Sequence, residues 1–340
     1  DREIFRIDLR HLLGKTSYLD EFAGEFTDLV EVVVEEGRRL AREETLAKFP
    51  APMVSDRRGS EDAVFGLGKF GGRELGYASD VELLFIYTDD PDSSGTRSRK
   101  NLEFYCEMVR IFCSIIRART EGVFEVDLRL RPYGKAGPLA VSLNLFRKYY
   151  SKTGEAWNFE RQALVKLRHV AGSASLGHEV ESIRGVFVYS DEPFNFKEAI
   201  ELRERQRAEL VEKGTWNAKY SSGGLLDVEY LTQTLQIIYG RKHDGDVRHP
   251  NTLRALHGLM RVRALETRKE KALEESYVFL RNLINALRIF RGNARDLALP
   301  DWKTKEFTVL ARRMGYSGDD AHVRARFHRD LLRSMKRAQV

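Results

Sequence analysis

Apolar residues recur at helical spacing over residues 1–48, where Leu29, Val30, Val33, Val34 and Leu40 are set among glutamates and arginines. This predicts one or two amphipathic helices, closed near Pro50 and Pro52. The texture then changes. Segments 63–67, 81–87 and 124–130 are rich in Val, Phe, Ile and Leu with period-two alternation, which predicts strands. Between the last two, Leu102, Tyr105, Met108, Val109, Phe112, Ile115 and Ile116 form one stripe and predict a helix over residues 99–119. A short strand is expected at 138–143 and a helix across 157–168. From Phe196 onward the spacing is almost purely 3.6-residue within dense surface charge, predicting helices at 196–213, 225–239, 252–262, 266–291 and 320–337. Gly214, Gly223, Gly224, Pro250, Gly292 and Pro300 punctuate them, and no repeat of roughly 20–50 residues interrupts the order. The expected fold class is therefore α+β: N-terminal helices over 1–50, a compact α+β domain over 51–190, and an all-helical bundle over 191–340.

Composition narrows the class. At 340 residues, 42% apolar and 32% charged, the chain has material for two or three domains with real cores and is too apolar for disorder. No run of roughly 18 apolar residues offers a membrane span. The opening DREIFRIDLRHLL is charged throughout and carries no signal-peptide pattern; its lack of an initiator Met suggests a piece of a longer protein. Lysine plus arginine (57) exceeds aspartate plus glutamate (51) by six, a mild basic balance that suits a phosphate-bearing substrate or an acidic partner as well as plain solubility. Cys106 and Cys113 lie seven apart in a helical pattern, about 10 Å along the axis and beyond disulfide reach. They are expected to be buried small hydrophobes of a reducing cytoplasm.

Several familiar chemistries are missing. There is no Cys-x-x-Cys, no His-Glu-x-x-His, no histidine pair at metal-ligand spacing and no Gly-x-Ser-x-Gly. Gly66-Leu-Gly68-Lys-Phe-Gly71 does match the dinucleotide fingerprint after a strand, with Asp89 near the expected acidic position. Against it, residues 72–79 are too short and glycine-interrupted for a crossover helix. The next strand also opens on two carboxylates, which repel a pyrophosphate.

The same stretch reads better as Gly71-Gly72, a short spacer, then Asp80-Val81-Glu82-Leu83. Alternate side chains of a strand share a face, so Asp80 and Glu82 point the same way, about 7 Å apart at Cα, while Val81, Leu83 and Phe85 turn to the core. Such a pair repels unless a divalent cation keeps both ionised, and Mg²⁺ takes hard oxygen ligands and bridges to phosphates. A glycine pair lets backbone N–H groups approach a phosphate oxygen. In Glu125-Val-Asp127-Leu-Arg129-Leu-Arg131 the charged residues alternate with apolar ones, placing Asp127, Arg129 and Arg131 on one face. Asp127 is a candidate metal ligand or the base that takes a proton from an attacking hydroxyl, and the arginines are candidates to neutralise phosphate charge. The bland alternative is a charged sheet edge facing water.

At these residues the chain resembles the DNA polymerase β type of nucleotidyltransferase. Residues 66–85 (GLGKFGGRELGYASDVELLF) are similar to the glutamine synthetase adenylyltransferase/adenylyl-removing family in particular. So are Val126-Asp127-Leu-Arg129-Leu-Arg131-Pro132 with Gly137-Pro138-Leu139, and Trp157 followed by Glu160, Gln162, Lys166 and Arg168. So too is Gly223-Gly224-Leu-Leu-Asp227-Val-Glu229-Tyr-Leu-Thr-Gln233. The resemblance implies a nucleotidyltransferase domain over 51–190, built on a mixed sheet with flanking helices, and one half of a two-half enzyme. In that family one half moves AMP from ATP to a tyrosine of glutamine synthetase, and the other removes it by phosphorolysis. PII signal proteins and glutamine set the balance. It further implies two Mg²⁺ ions held by Asp80, Glu82 and Asp127, and nucleotide contacts from Gly71, Gly72, Arg129 and Arg131. Lys69, Glu160, Lys166, Gly223, Gly224 and Glu229 would line the cleft. The family usually carries Asp where this chain has Glu82. Leu75-Gly76-Tyr77 favours the transferring half, whereas Gly137-Pro138 and Tyr149-Tyr150 suit the removing one. Asp227-Val-Glu229 cannot copy the acidic strand, because i and i+2 point apart on a helix. A capping role for that segment is an equal alternative. Trp216, Tyr220, Tyr230 and Tyr239 are expected in the core. An RNA-directed transferase or an inactive sensor module are the readings from other classes; Arg324, Arg326, Arg329 and Arg333 are not interleaved with aromatics, so nucleic acid is not expected.

Overall fold

Ala23, Phe26, Val30, Val34 and Ala41 recur every three, four or seven residues. In a computed structural model of the chain they form the buried stripe of α2 (Ala23–Leu46), which follows α1 (Arg2–Leu12). The structure describes residues 2–89, 95–116, 125–293 and 296–339. The chain divides into two units, Asp1–Asp191 and Glu192–Val340.

In the first unit a small hairpin, β1 (Met53–Ser55) and β2 (Arg58–Gly59), precedes the main sheet. That sheet is built on β3 (Asp62–Gly66) and β4 (Val81–Tyr87), which run antiparallel and are joined through the four-residue helix α3 (Gly68–Gly71). A dinucleotide fold needs parallel strands around a packed crossover helix, so the antiparallel pair rules that fingerprint out. Its acidic residue, Asp89, is buried and accepts bonds from Ser98 and Asn101 (3.1 Å from Asn101). Two short strands, β5 (Val126–Asp127) and β6 (Ala140–Ser142), each pair in parallel with β4, and β7 (Arg168–Gly172) pairs antiparallel with β3. The order is β5–β4–β3–β7, with β6 beside the far end of β4. The sheet is thus mixed, as the resemblance implied.

Val64, Val81, Leu83, Phe85 and Tyr87 turn one face of this sheet into a core shared with α2 and α4 (Thr96–Ile115). The two helices approach closely at Gly37, where a methyl group would sit 2.7 Å from Ile116 Cδ1. Ala63, Phe65, Leu84 and Ile86 are also buried, on the opposite face. Burial on both faces explains why β3 and β4 read as nearly continuous apolar runs. Cys106 and Cys113 are free thiols, half-buried against the core rather than fully inside it.

Several segments differ from expectation. The third strand shrinks from 124–130 to Val126–Asp127, because the Arg129 N–H bonds the Asp127 side chain (2.8 Å) rather than a neighbouring strand. The expected helix of 99–119 runs Thr96–Ile115; its positions 117–119, like Phe124, lie outside the described residues. The helix expected over 157–168 is only α6 (Glu160–Val165), and the chain turns straight into β7, which the sequence did not announce. Also unannounced were α5 (Leu143–Tyr149), too short for a periodic signal, and α7 (Ala174–Val188), whose buried Leu176, Val180 and Val188 make a sparse stripe.

The second unit is helical: α8 (Phe196–Leu210), α9 (Leu225–Tyr239), α10 (Thr252–Arg261), α11 (Thr267–Arg291), α12 (Lys305–Arg313) and α13 (Asp320–Ala338). Five match the sequence reading within a few residues; α12, nine residues capped by Thr304, was not expected. Leu256, Leu259, Leu280, Leu283, Leu287, Phe307 and Phe327 are fully buried at its centre. Trp216 is exposed, and Tyr220, Tyr230 and Tyr239 are half-buried, so these four aromatics are not core as expected. Polar neighbours hold two of them outward: Tyr230 donates to Gln206 (3.1 Å) and Lys219 lies over the Tyr220 ring. No helix among the described residues is long and apolar enough to cross a membrane.

Candidate active site

The acidic residues fall on the sheet face opposite the α2/α4 core. Val81 pairs with Val126 and Glu82 with Asp127 across the parallel β4–β5 ladder, so Glu82 and Asp127 are direct neighbours on one face. Asp80, just before β4, shares that alternation and is exposed. The strand periodicity therefore brings all three acids to one sheet edge. Glu82 and Asp127 nonetheless each take a local donor. Among the described residues the three do not gather within 4.8 Å as a ready ligand set; the grouping that does is His257, Glu270 and Glu274.

Glu82 lies over Gly68 and accepts the N–H of Lys69 at 3.1 Å. Gly68 is a residue the sequence reading missed. Its φ is +48°, and a Cβ there would stand 1.9 Å from Glu82 Oε2. The signal was present: a glycine that opens the short turn before a strand bearing Glu82.

Asp127 is clasped by Arg129, with Arg129 Nη2 2.6 Å from Asp127 Oδ2 and the Arg129 N–H 2.8 Å from Oδ1. Burial pushes the Asp127 carboxyl up, but these bonds and the charges of Arg129 and Arg131 outweigh it, leaving the pKa below the ordinary value. Arg129 is held more firmly protonated, first by Asp127 and further by Asp80 and Glu82. Its side chain is 65% exposed. One exposed guanidinium thus sits amid three carboxylates.

Arg131 does something else. It is only 8% exposed, and its guanidinium donates to the carbonyls of Leu128 (2.5 Å) and Gly137 (3.1 Å). Burial lowers its pKa. The strand alternation that put Arg131 beside Arg129 ends at Asp127, so Arg131 braces the loop before β6 instead of facing outward.

The glycine pair also differs from expectation. The N–H groups of Gly71 and Gly72 donate to Leu67 (2.8 Å) and Gly68 (3.1 Å) within the turn of α3, rather than pointing outward. Both glycines serve close packing: a Cβ on Gly71 would lie 1.9 Å from the Lys166 carbonyl, and one on Gly72 would lie 2.9 Å from Lys166 Nζ. Lys166, expected to line a cleft, is 4% exposed and pairs with Glu74 at 2.6 Å. Arg168 donates to the Gly71 and Phe70 carbonyls (3.0 and 3.2 Å) and pairs with Glu31 of α2. Together Lys166 and Arg168 clamp the turn that carries Gly68 and Lys69. Lys69 and Glu160 are half-buried; Glu160 accepts from the hydroxyls of Tyr149 (2.8 Å) and Tyr150 (3.2 Å) and from the N–H of Trp157 (3.1 Å). It acts as an anchor for α5 and α6.

Gly223, Gly224 and Glu229 belong to the second unit. Gly223 has φ +74° and touches the Met335 carbonyl, where a Cβ would be 2.1 Å away. Its N–H donates to Asp227 (2.6 Å), which in turn pairs with Arg203 at 2.8 Å. Gly224 caps α9, and Glu229 is 6% exposed. The Asp-Val-Glu repeat at 227–229 is helical, as the sequence indicated, and Asp227 pins α9 to α8 through Arg203.

Comparison with known proteins gives the chain its relatives. The glutamate-ammonia ligase adenylyltransferase family matches residues 1–183, and the GlnD PII-uridylyltransferase family matches residues 195–340. A bifunctional glutamine synthetase adenylyltransferase/adenylyl-removing enzyme of Methylococcus capsulatus is 34% identical over 273 residues, 79% of this chain and 28% of the relative. Enzymes of the same name from Rhodopseudomonas palustris (31% identical; 95% of this chain, 32% of the relative) and Thioalkalivibrio sulfidiphilus (30%; 99% and 34%) are similar throughout. The chain spans about a third of the length of these relatives. With its first 183 residues matched and its acidic strands in register, the chain belongs to the glutamate-ammonia ligase adenylyltransferase family.

Proposed function

We propose that this chain is an enzyme, a nucleotidyltransferase half that moves AMP from ATP to a tyrosyl hydroxyl of glutamine synthetase in a Mg²⁺-dependent reaction. The observation that carries the reading is the in-register pairing of Glu82 with Asp127, with Asp80 on the same face and Arg129 among them. The donor set fits Mg²⁺: three carboxylates offer hard oxygens, two on adjacent strands and one exposed. Asp80, Glu82 and Asp127 would hold the metal, which when bound supplies charge neutralisation for the phosphates.

The chain's own residues account for the rest. Asp127, kept ionised by Arg129, serves as a ligand or accepts the proton of the attacking tyrosyl hydroxyl. The tyrosyl oxygen bonds the α-phosphorus as the α–β anhydride breaks, and pyrophosphate carries away the electron pair. Arg129 swings its exposed guanidinium from Asp127 toward the phosphates to offset the charge that moves outward. The clamp of Lys166 and Arg168 fixes the turn that positions Glu82.

The relatives' name joins transfer and removal, and the same groups would serve phosphate attack on AMP-tyrosine to release ADP. Transfer is favoured by Leu75-Gly76-Tyr77. Glutamine synthetase as partner, PII as regulator through a longer chain, and a cytoplasmic location follow from the same reading. The deciding experiment incubates the chain with Mg²⁺, labelled ATP and unmodified glutamine synthetase, and in parallel offers adenylylated synthetase with phosphate. Labelled AMP on the synthetase is expected. ADP release instead would assign the removing half, and neither product would refute the enzymatic reading.

A further inference from the structure

The second unit holds a side-chain cluster that the nucleotidyl site does not use. His257 stands on α10, and Glu270 and Glu274 stand one turn apart on α11, which packs against it. Their ligand atoms lie within 4.8 Å of one another: His257 Nε2 is 3.7 Å from Glu270 Oε1 and 3.5 Å from Glu274 Oε1.

Three features of this cluster ask for a cation. Glu270 is 4% exposed, yet no described residue donates a hydrogen bond to its carboxylate. A carboxylate on so enclosed a side chain with no donor is costly, and a second carboxylate one turn away adds repulsion. The nearby arginines of α10 are engaged elsewhere: Arg254 and Arg261 both pair with Asp246. The spacing is also wrong for hydrogen bonds and right for shared coordination. A charge-assisted bond would close to about 2.8 Å. Ligands at about 2.1 Å from a tetrahedral Zn²⁺ stand about 3.4 Å from each other, close to the 3.5 and 3.7 Å observed. His257 and Glu274 are half-exposed, so an ion has a way in.

We propose that His257, Glu270 and Glu274 bind one divalent transition-metal ion of tetrahedral preference, of the Zn²⁺ kind, which ties α10 to α11 and keeps a fourth position for water. The imidazole separates this site chemically from the all-oxygen carboxylates of the sheet, which suit Mg²⁺. The proposal stands apart from the nucleotidyl reading and does not depend on it.

The test titrates the chelator-stripped chain with Co²⁺ and follows the visible absorption that a tetrahedral nitrogen-containing site gives strongly and an octahedral oxygen site gives weakly. A saturable band at one ion per chain is expected, displaced by an equivalent of Zn²⁺. His257→Gln and Glu274→Gln should each lose it while keeping the parent's helical circular dichroism. Loss of a direct ligand should weaken Zn²⁺ binding, read by calorimetry, beyond the roughly 10- to 100-fold that outer partners cost. Asp127→Asn should leave the band in place. Absence of a saturable band in the parent chain overturns the proposal. A band that survives both substitutions, or that disappears in Asp127→Asn, overturns it as well.

Discussion

Replacing Gly68 by alanine tests how this site accommodates a glutamate. The added Cβ would lie 1.9 Å from Glu82 Oε2 and 2.4 Å from Glu82 Cδ, so the carboxylate must retreat about 1.5 Å to reach ordinary contact at 3.4 Å. The left-handed φ of +48° adds about 1 kcal/mol of backbone strain for any residue with a Cβ. A misplacement of about 1 Å at a reacting centre can cost about 100-fold, which corresponds to about 2.7 kcal/mol of barrier. Gly68→Ala should therefore lower single-turnover transfer of labelled AMP by about 100-fold or more, with a much smaller loss in urea stability. Glu82→Asp should also lower turnover, because the shorter arm withdraws from the Lys69 N–H, and Glu82→Gln should abolish Mg²⁺-dependent turnover. The two sites should be coupled. In the Glu82→Asp background the alanine meets a carboxylate already withdrawn, so its further effect should shrink by about 1 kcal/mol or more. Parent-like turnover in Gly68→Ala, strictly multiplicative effects in the double variant, or an Asp variant that outperforms the parent would each refute the idea that Gly68 makes room for Glu82.

Arg129→Ala should cut turnover and lose only the modest stability of its exposed pair with Asp127, whereas Arg131→Ala should lower urea stability more, because it takes the donor from the half-buried carbonyls of Leu128 and Gly137; equal stability losses would contradict this division. Lys166→Met should destabilise by about 3–5 kcal/mol, because it removes the ammonium paired with Glu74, only 1% exposed; pairing it with Glu74→Gln should recover much of that loss in urea melts. The folded-state pKa of Asp127 is depressed, so its ion pair stabilises the fold above the unfolded value of about 3.9 and is lost as pH falls through the folded value. Stability–pH curves of the parent and Asp127→Asn should accordingly diverge above that window and converge in acid, and a gap that persists in acid would refute the assignment.

The local patterns were strong where one rule governs a segment. Residues 81–87 read as a strand because a buried apolar run bounded by acids and a turn has few other solutions, and the same residues form β4. The stripes of 225–239 and 266–291 gave α9 and all but the first residue of α11, because long amphipathic helices advertise their buried face every three or four positions. Alternation alone also put Asp80 and Glu82 on one face. Four ordered motifs identified the family, and that identification holds over the first 183 residues.

What tertiary structure decided is where each polar group goes once its neighbours are in place. Sequence periodicity carried the strand of Asp127 on to residue 130, but the Arg129 N–H found the Asp127 carboxylate, the ladder stopped, and Arg131 turned inward to brace Gly137. Lys166 looked like a cleft residue until β7, which no pattern announced, brought it against Glu74, a residue 92 positions away. Gly71 and Gly72 looked like phosphate binders; their N–H groups closed a turn, and their missing side chains proved to matter for packing. Spacing along a chain fixes which side chains share a face, because that follows from the backbone's own geometry. It does not fix partners across the fold, since the strongest available donor for a carboxylate depends on segments that meet only after the chain has folded.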